Sequence, residues 1–189
     1  MGYLQLGAHL SMADSWAGER NTSASALARV TELPNVAAKN VAHIGIRNSM
    51  NPKDWIDLAN ERGIKYTSMR ETFSRGIEAV TREAVDLVWD GTDAQYLSID
   101  MNVMDASAAP GVTSPEPGGF EAREIMQINE IIGEKGTIGL IDLTELCPVV
   151  DVNGITTKLA ACALLRLMAV IAQTNGELVD QSIRRHDIK

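Results

Sequence analysis

His9, Asp100, Asn102 and Glu145 are the side chains best suited to holding a divalent cation, and each falls where a strand should end. A histidine with carboxylates makes a plausible metal set. The Asp100-x-Asn102 spacing turns two oxygen-bearing side chains to one side if extended geometry persists. Ser11, Arg47 and Asn48 stand at the same kind of position and add a hydroxyl, a cation and an amide. Taken singly, each residue has a plainer use: His9 as a hydrogen-bonded loop residue, Asp100 as a turn cap, Glu145 as an ion-pair partner.

What must bring these groups together is an alternation of strands and helices. Residues 3–6, 41–46, 65–69, 95–100 and 137–143 read as short strands. Between them the apolar spacing predicts helices over 24–32, 51–63, 70–90 and 121–133, and a strongly apolar one over 155–173. Pro52 suits a first-turn position, Trp55, Ile56, Leu58 and Ala59 supply an inner face, and Gly63 closes that helix. In the helix expected over 70–90, Phe73, Ile77, Val80, Ala84, Leu87 and Val88 recur at three- and four-residue intervals. Such alternation implies an α/β fold of three layers, a mostly parallel sheet with helices on both faces. Sheets of this kind bind ligands at the carboxyl ends of their strands, where the residues named above lie. The expected domain is 1–173, followed by a polar tail over 174–189. Residues 100–121 form a long loop stiffened by Pro110, Pro115 and Pro117 and bent at Gly111, Gly118 and Gly119. Loops of that length in compact domains usually carry function.

Composition narrows the class. A net charge of −8 over 189 residues leaves no basic face for phosphates and argues against a nucleic-acid partner. Cys147 and Cys162 lie in apolar segments, which fits reduced thiols and a cytoplasmic location. The amino terminus lacks the basic start and apolar run of a signal peptide. The apolar run 159–172 reads as too short for a membrane span and contains Arg166, so no membrane association is expected. A chain that opens in a core strand reads as the later part of something longer.

The long loop carries a recognisable pattern. Ser98-Ile99-Asp100-Met101-Asn102-Val103-Met104-Asp105, then Ala109-Pro110-Gly111, Pro117-Gly118-Gly119-Phe120 and Arg123-Glu124 resemble the signature of the ureohydrolases, the arginase/agmatinase family. That family reads Ser-x-Asp-x-Asp-x-x-Asp-Pro, Ala-Pro-Gly, Gly-Gly-Leu and Arg-Glu. The run from Asp142 through Glu145 and Pro148 to Asp151 is similar to its Asp-x-x-Glu-x-x-Pro-x-x-Asp, and Thr156-Thr157-Lys158-Leu159-Ala160-Ala161 to the start of its last helix. Gly7-Ala8-His9-Leu10-Ser11 stands in the place of Asp-Ala-His-x-Asp. The resemblance runs collinearly from Gly2 to about Ala172.

It implies an arginase-like fold, here the carboxyl-terminal two-thirds of it, with the family's His-bearing amino-terminal segment absent. It further implies hydrolysis of guanidino C–N bonds by two Mn or Ni ions, in trimers or hexamers. Residue by residue, His9 and Asp100 are retained as metal ligands and Glu145 as the position that holds a guanidinium. Gly7, Ser11 and Asn102 replace three ligand aspartates, and Asn21-Thr22-Ser23-Ala24 stands in a loop that carries a histidine in the family. Two divalent cations roughly 3.5 Å apart repel by on the order of 20 kcal/mol at an effective dielectric of about 20, which the family offsets with four carboxylates. With Asp100 alone anionic, a dinuclear site is not expected; a single weak ion on His9, Asp100 and Asn102 is the remaining option. The resemblance therefore suggests a non-catalytic or supporting subunit, of the kind found beside an active homologue in guanidine and metformin hydrolases. Its expected partner is a homologous catalytic subunit or a second copy. The alternatives are an active, divergent agmatinase-like hydrolase of a small guanidino compound, or a fragment with no function of its own.

Overall fold

The computed structural model describes residues 1–177; of the tail expected over 174–189, residues 178–189 lie outside the described residues. Five strands, β1 (Gly2–Leu6), β2 (Val41–Ile46), β3 (Lys65–Ser68), β4 (Gln95–Asp100) and β5 (Leu140–Thr144), pair in parallel in the order β3-β2-β1-β4-β5. The first strand in sequence is thus central, with Leu4 registered on Ala42 and on Leu97. The α/β class and parallel sheet expected from the strand–helix alternation are both present. Central parallel strands are buried on both faces. Accordingly Leu4 and Leu6 enter one core, while Tyr3 enters another on the opposite face.

The first face carries four helices. Here α3 (Met69–Arg75), α4 (Ile77–Trp89), α5 (Ala122–Gly133) and α6 (Ile155–Thr174) contribute to one core. Val80, Ala84 and Val88 of α4 and Ile125, Ile128 and Ile132 of α5 keep the helical spacing, and Ala160, Ala163 and Leu167 of α6 join them. Gly2 permits the close approach of α4: a Cβ there would lie 2.0 Å from the Val88 carbonyl oxygen. The opposite face is covered over β1, β2 and β3 by α1 (Ala26–Val30) and α2 (Lys53–Arg62), through Leu27, Ala28, Trp55 and Ala59. Over β4 and β5 it opens into a cavity of about 250 Å³ lined by Tyr96, Ser98, Asp142 and Thr144. The third layer is therefore only partly built among the described residues.

Several boundaries differ from expectation. The helix expected over 24–32 is a 3-10 turn, Ser23–Ser25, followed by the five residues of α1. The single helix expected over 70–90 is two, broken at Gly76, whose φ of 93° lies outside helical space. Ser68 caps the first by accepting from the Glu71 amide at 3.2 Å. Phe73, expected on an inner helical face, is 47% exposed and meets Phe120 edge-on with ring centroids 6.1 Å apart. The strand expected over 137–143 begins at Leu140. The last apolar segment is also longer than the 159–172 run suggested. Val152–Thr174 spans 23 residues and contains an 18-residue window of mean hydropathy 1.8, long and apolar enough by those measures to cross a membrane. In this fold α6 packs one side against α5.

Candidate active-site cleft

The loop from Asp100 to α5 is shaped by one side chain. Arg47, just past β2, donates Nε–H to Pro117 O at 3.0 Å and Nη1–H to Val103 O at 3.2 Å. Its Nη2 donates to Asn102 O, Met104 O and Glu116 O at 2.8 to 2.9 Å. Five carbonyls of the loop thus converge on a planar cation, for which a guanidinium fork is suited. Gly119 allows the approach, since a Cβ there would sit 2.5 Å from Arg47 Nη2 and 2.4 Å from the Met104 carbonyl carbon. Asp105 completes the frame by accepting from the amides of Ser107 at 2.9 Å and Gly118 at 2.7 Å. These bonds, led by that from the Ser107 hydroxyl, hold its carboxyl down at about 2. At the far end, Gly111 N–H donates to Thr156 Oγ1 at 2.7 Å, and Asp151 accepts from the Thr156 and Thr157 amides at 2.9 Å each, starting α6.

Framed this way, the strand ends form a cleft of about 120 Å³ that brings together His9, Ser11, Asp100, Asn102 and Glu145, with Ser114 and Trp55 among its walls. Arg47 and Asn48 frame the loop instead of lining the cleft. Ser11, Asn48 and Glu145 all hold positive φ, 54°, 59° and 65°. Non-glycine residues seldom adopt that conformation, and it clusters at functional sites.

Asp100 is buried and accepts from the Asn102 amide at 2.7 Å. Burial, and then the charge of Glu145, push its carboxyl up to about 7 against that hydrogen bond. Asn102 donates from Nδ2 to Glu145 Oε2 at 3.3 Å and accepts at Oδ1 from Ser114 N–H at 3.1 Å. The Thr113 hydroxyl also donates to Glu145. His9 Nε2 is buried without a hydrogen-bond partner among the described residues, 3.6 Å from Glu116 Oε1. Beneath the cleft, His43 of β2 donates Nε2–H to the Gly7 carbonyl at 3.1 Å, which leaves Nδ1 unprotonated and unpartnered among the described residues. Burial pulls its pKa down to about 4, so it is neutral near pH 7. A Cβ on Gly7 would lie 3.1 Å from His43 Nε2 and 3.3 Å from Asp100 Oδ2.

These residues do not suit a pair of divalent ions. Gly7 provides no side-chain ligand atom, and both ends of the Asn102 amide make hydrogen bonds to protein groups. No cluster of three or more His, Cys, Asp or Glu able to hold a metal ion occurs among the described residues. His43, Glu116 and Ser114 did not stand out in the sequence. The first was visible only as a histidine inside an apolar strand; the other two carried no signal.

The comparisons with known proteins agree with the fold. The chain is 29% identical to a guanidinopropionase from Pseudomonas aeruginosa over 175 residues, covering 92% of this chain and 54% of that protein. It superposes on formimidoylglutamase from Bacillus subtilis with a TM-score of 0.84 at 24% identity, covering 90% of this chain and 53% of that one. A formiminoglutamase variant from Trypanosoma cruzi, solved with Mn2+, superposes with a TM-score of 0.78 at 18% identity over 89% of this chain and 56% of that one. The chain spans about half the length of these relatives. The profile of the arginase family matches residues 1–170, and on that match the chain belongs to the arginase family.

Proposed function

We propose that this chain is a non-catalytic member of the arginase family that supports a C–N hydrolase assembly, in company with a metal-loaded homologue. The observation that carries this reading is the Asn102 amide, which bridges Glu145 and the Ser114 amide where the family pattern has a charged ligand. A neutral amide brings no charge to offset that of a cation, and Gly7 and Ser11 bring none either. Elemental analysis of the purified chain after exposure to Mn2+ or Ni2+ tests it. Well under one equivalent per chain, and no turnover of a panel of guanidino and formimino compounds, is the expected result. Close to two equivalents, or turnover by the chain alone, would overturn it.

A second reading, that of an active divergent hydrolase, draws on the same cleft. Glu145 is held at a φ of 65° beside a carboxyl whose pKa lies near 7, a combination suited to orienting a cationic substrate and moving a proton. On that reading Glu145→Gln abolishes a measurable turnover. If the chain has no turnover to abolish, the reading fails.

A further inference from the structure

We propose that the cleft at the strand ends binds a primary organic ammonium ion with an apolar arm, an assignment that rests on the chain being non-catalytic and holding no metal there. Two carboxylates, Asp100 and Glu145, line the cleft, and no lysine or arginine is among its lining residues. Arg47 spends its guanidinium on the carbonyls of the loop. Water can hydrate the two carboxylates but brings no charge to balance them. Ser11 is an independent sign of a ligand. It is 8% exposed, lines the same cleft, and its hydroxyl has no hydrogen-bond partner among the described residues. Buried polar groups in native proteins are nearly all paired, so a hydroxyl left free toward a cavity marks a place for a group from outside.

The free acceptors select the shape of the cation. Asp100, 6% exposed, uses Oδ1 for the Asn102 amide at 2.7 Å and makes no hydrogen bond through Oδ2 among the described residues. Glu145 accepts on Oε2 from Asn102 Nδ2 at 3.3 Å and from the Thr113 hydroxyl, which leaves Oε1 without a hydrogen bond among the described residues. Each carboxylate therefore offers one free oxygen, Asp100 at the end of β4 and Glu145 just past β5. A guanidinium fork is matched by both oxygens of one carboxylate, and neither side chain presents that pair. An ammonium carries three donors on one nitrogen, and Asp100 Oδ2, Glu145 Oε1 and Ser11 Oγ supply acceptors from three separate strand ends. The remaining substituent of that nitrogen leaves along an apolar wall. Trp55 and Met50 line the cleft, Met50 is 52% exposed, and Trp16 meets Trp55 edge-on with ring centroids 6.2 Å apart. An alkyl or arylalkyl chain on these side chains buries apolar area, which a bare ammonium or a metal ion cannot do. At about 120 Å³ the cleft admits a small amine.

Calorimetric titration of the 189-residue chain with phenethylamine in EDTA tests the proposal. Saturation at one amine per chain is expected. Phenethyl alcohol, which keeps the arm and loses the charge, should bind at least ~10-fold more weakly, and phenethylguanidine no more tightly than the amine. Glu145→Gln should weaken the amine at least ~10-fold. Met50→Ser, a change at an exposed position, should weaken it at least ~3-fold with the circular dichroism unchanged. No saturable binding below about 1 mM overturns the proposal. So does an alcohol that binds as well as the amine, a guanidine that binds more tightly, or an affinity unmoved by either variant. Should Glu145→Gln fail to fold, Met50→Ser and the alcohol decide in its place. Metal analysis and turnover assays without EDTA report separately on the non-catalytic reading. A metal-free, inactive chain that ignores the amine sinks the proposal and leaves that reading standing, whereas a chain that hydrolyses guanidino compounds or holds two equivalents of Mn2+ sinks both.

Discussion

Asn102 and Glu145 share a hydrogen bond of 3.3 Å from amide to carboxylate, and the other end of that amide is taken by Ser114 N–H. A neutral side chain thereby closes a site lined by two acidic groups, Asp100 and Glu145. Asn102→Asp removes the donor and sets a third acidic group among them. It should cost about 1–3 kcal/mol without added metal, read as a lower melting temperature. Joined with Gly7→Asp and Ser11→Asp, the same change should raise Mn2+ affinity in calorimetry. The aspartate at 7 has to displace His43 or Asp100 by a few tenths of an ångström to fit. No gain in affinity would show that these positions do not converge on a metal-sized space.

Asp100 and His43 flank Gly7 and titrate in opposition. The Asp100 pKa is raised from 3.8 to about 7. The native state therefore holds a proton that the unfolded state has released, and stability falls as pH rises from about 4 to 7. The His43 pKa is lowered from 6.5 to about 4. There the unfolded state takes the proton first, and stability rises with pH across that window. The two slopes largely cancel between about pH 4 and 6.5. Asp100→Asn should expose the histidine slope, on the order of 1.4 kcal/mol per pH unit in urea titrations. A variant as flat as the parent would refute the pairing.

Arg47 holds the loop through carbonyl oxygens, so its replacement tests geometry and not charge alone. Arg47→Lys keeps the charge but cannot present a planar fork to five acceptors. A loss of about 2–4 kcal/mol is expected, together with faster hydrogen exchange at the Ala106, Ser114 and Gly118 amides. Unchanged exchange there would mean the loop is held elsewhere.

Gly119→Ala should be at least as disruptive. Its Cβ would fall 2.4 Å from a backbone carbon and 2.5 Å from the guanidinium. Thermal melts should show a loss of about 1–3 kcal/mol or more. Gly63→Ala is the control for glycine loss without a clash: its added Cβ meets nothing within 4 Å, and only its φ of 73° resists.

The sheet was legible because its strands are short apolar runs separated by helix-length spacing, and the strand-end rule then gathered His9, Ser11, Asp100, Asn102 and Glu145 into one cleft. The break at Gly76 was not legible. A glycine within an apolar pattern that continues through Ile77 and Val80 costs a helix only about 1 kcal/mol, so the pattern alone does not separate one helix from two. The role of Arg47 was hidden for a different reason. Its partners are main-chain carbonyls up to 70 positions away, and a carbonyl leaves no mark on residue type. The open face over β4 and β5 was likewise invisible, because covering a sheet depends on what lies beside it and not on the strands themselves.

The convergence on Arg47 separates two kinds of information. The outline of the rim is written in main-chain atoms and one guanidinium, while its electrical character is written in side chains such as Asn102, Glu145 and Glu116 that the outline does not require. Charge at this rim can drift, or be redesigned, with the walls left standing. That makes the loop a ready-made mould into which a new recognition chemistry could be cast.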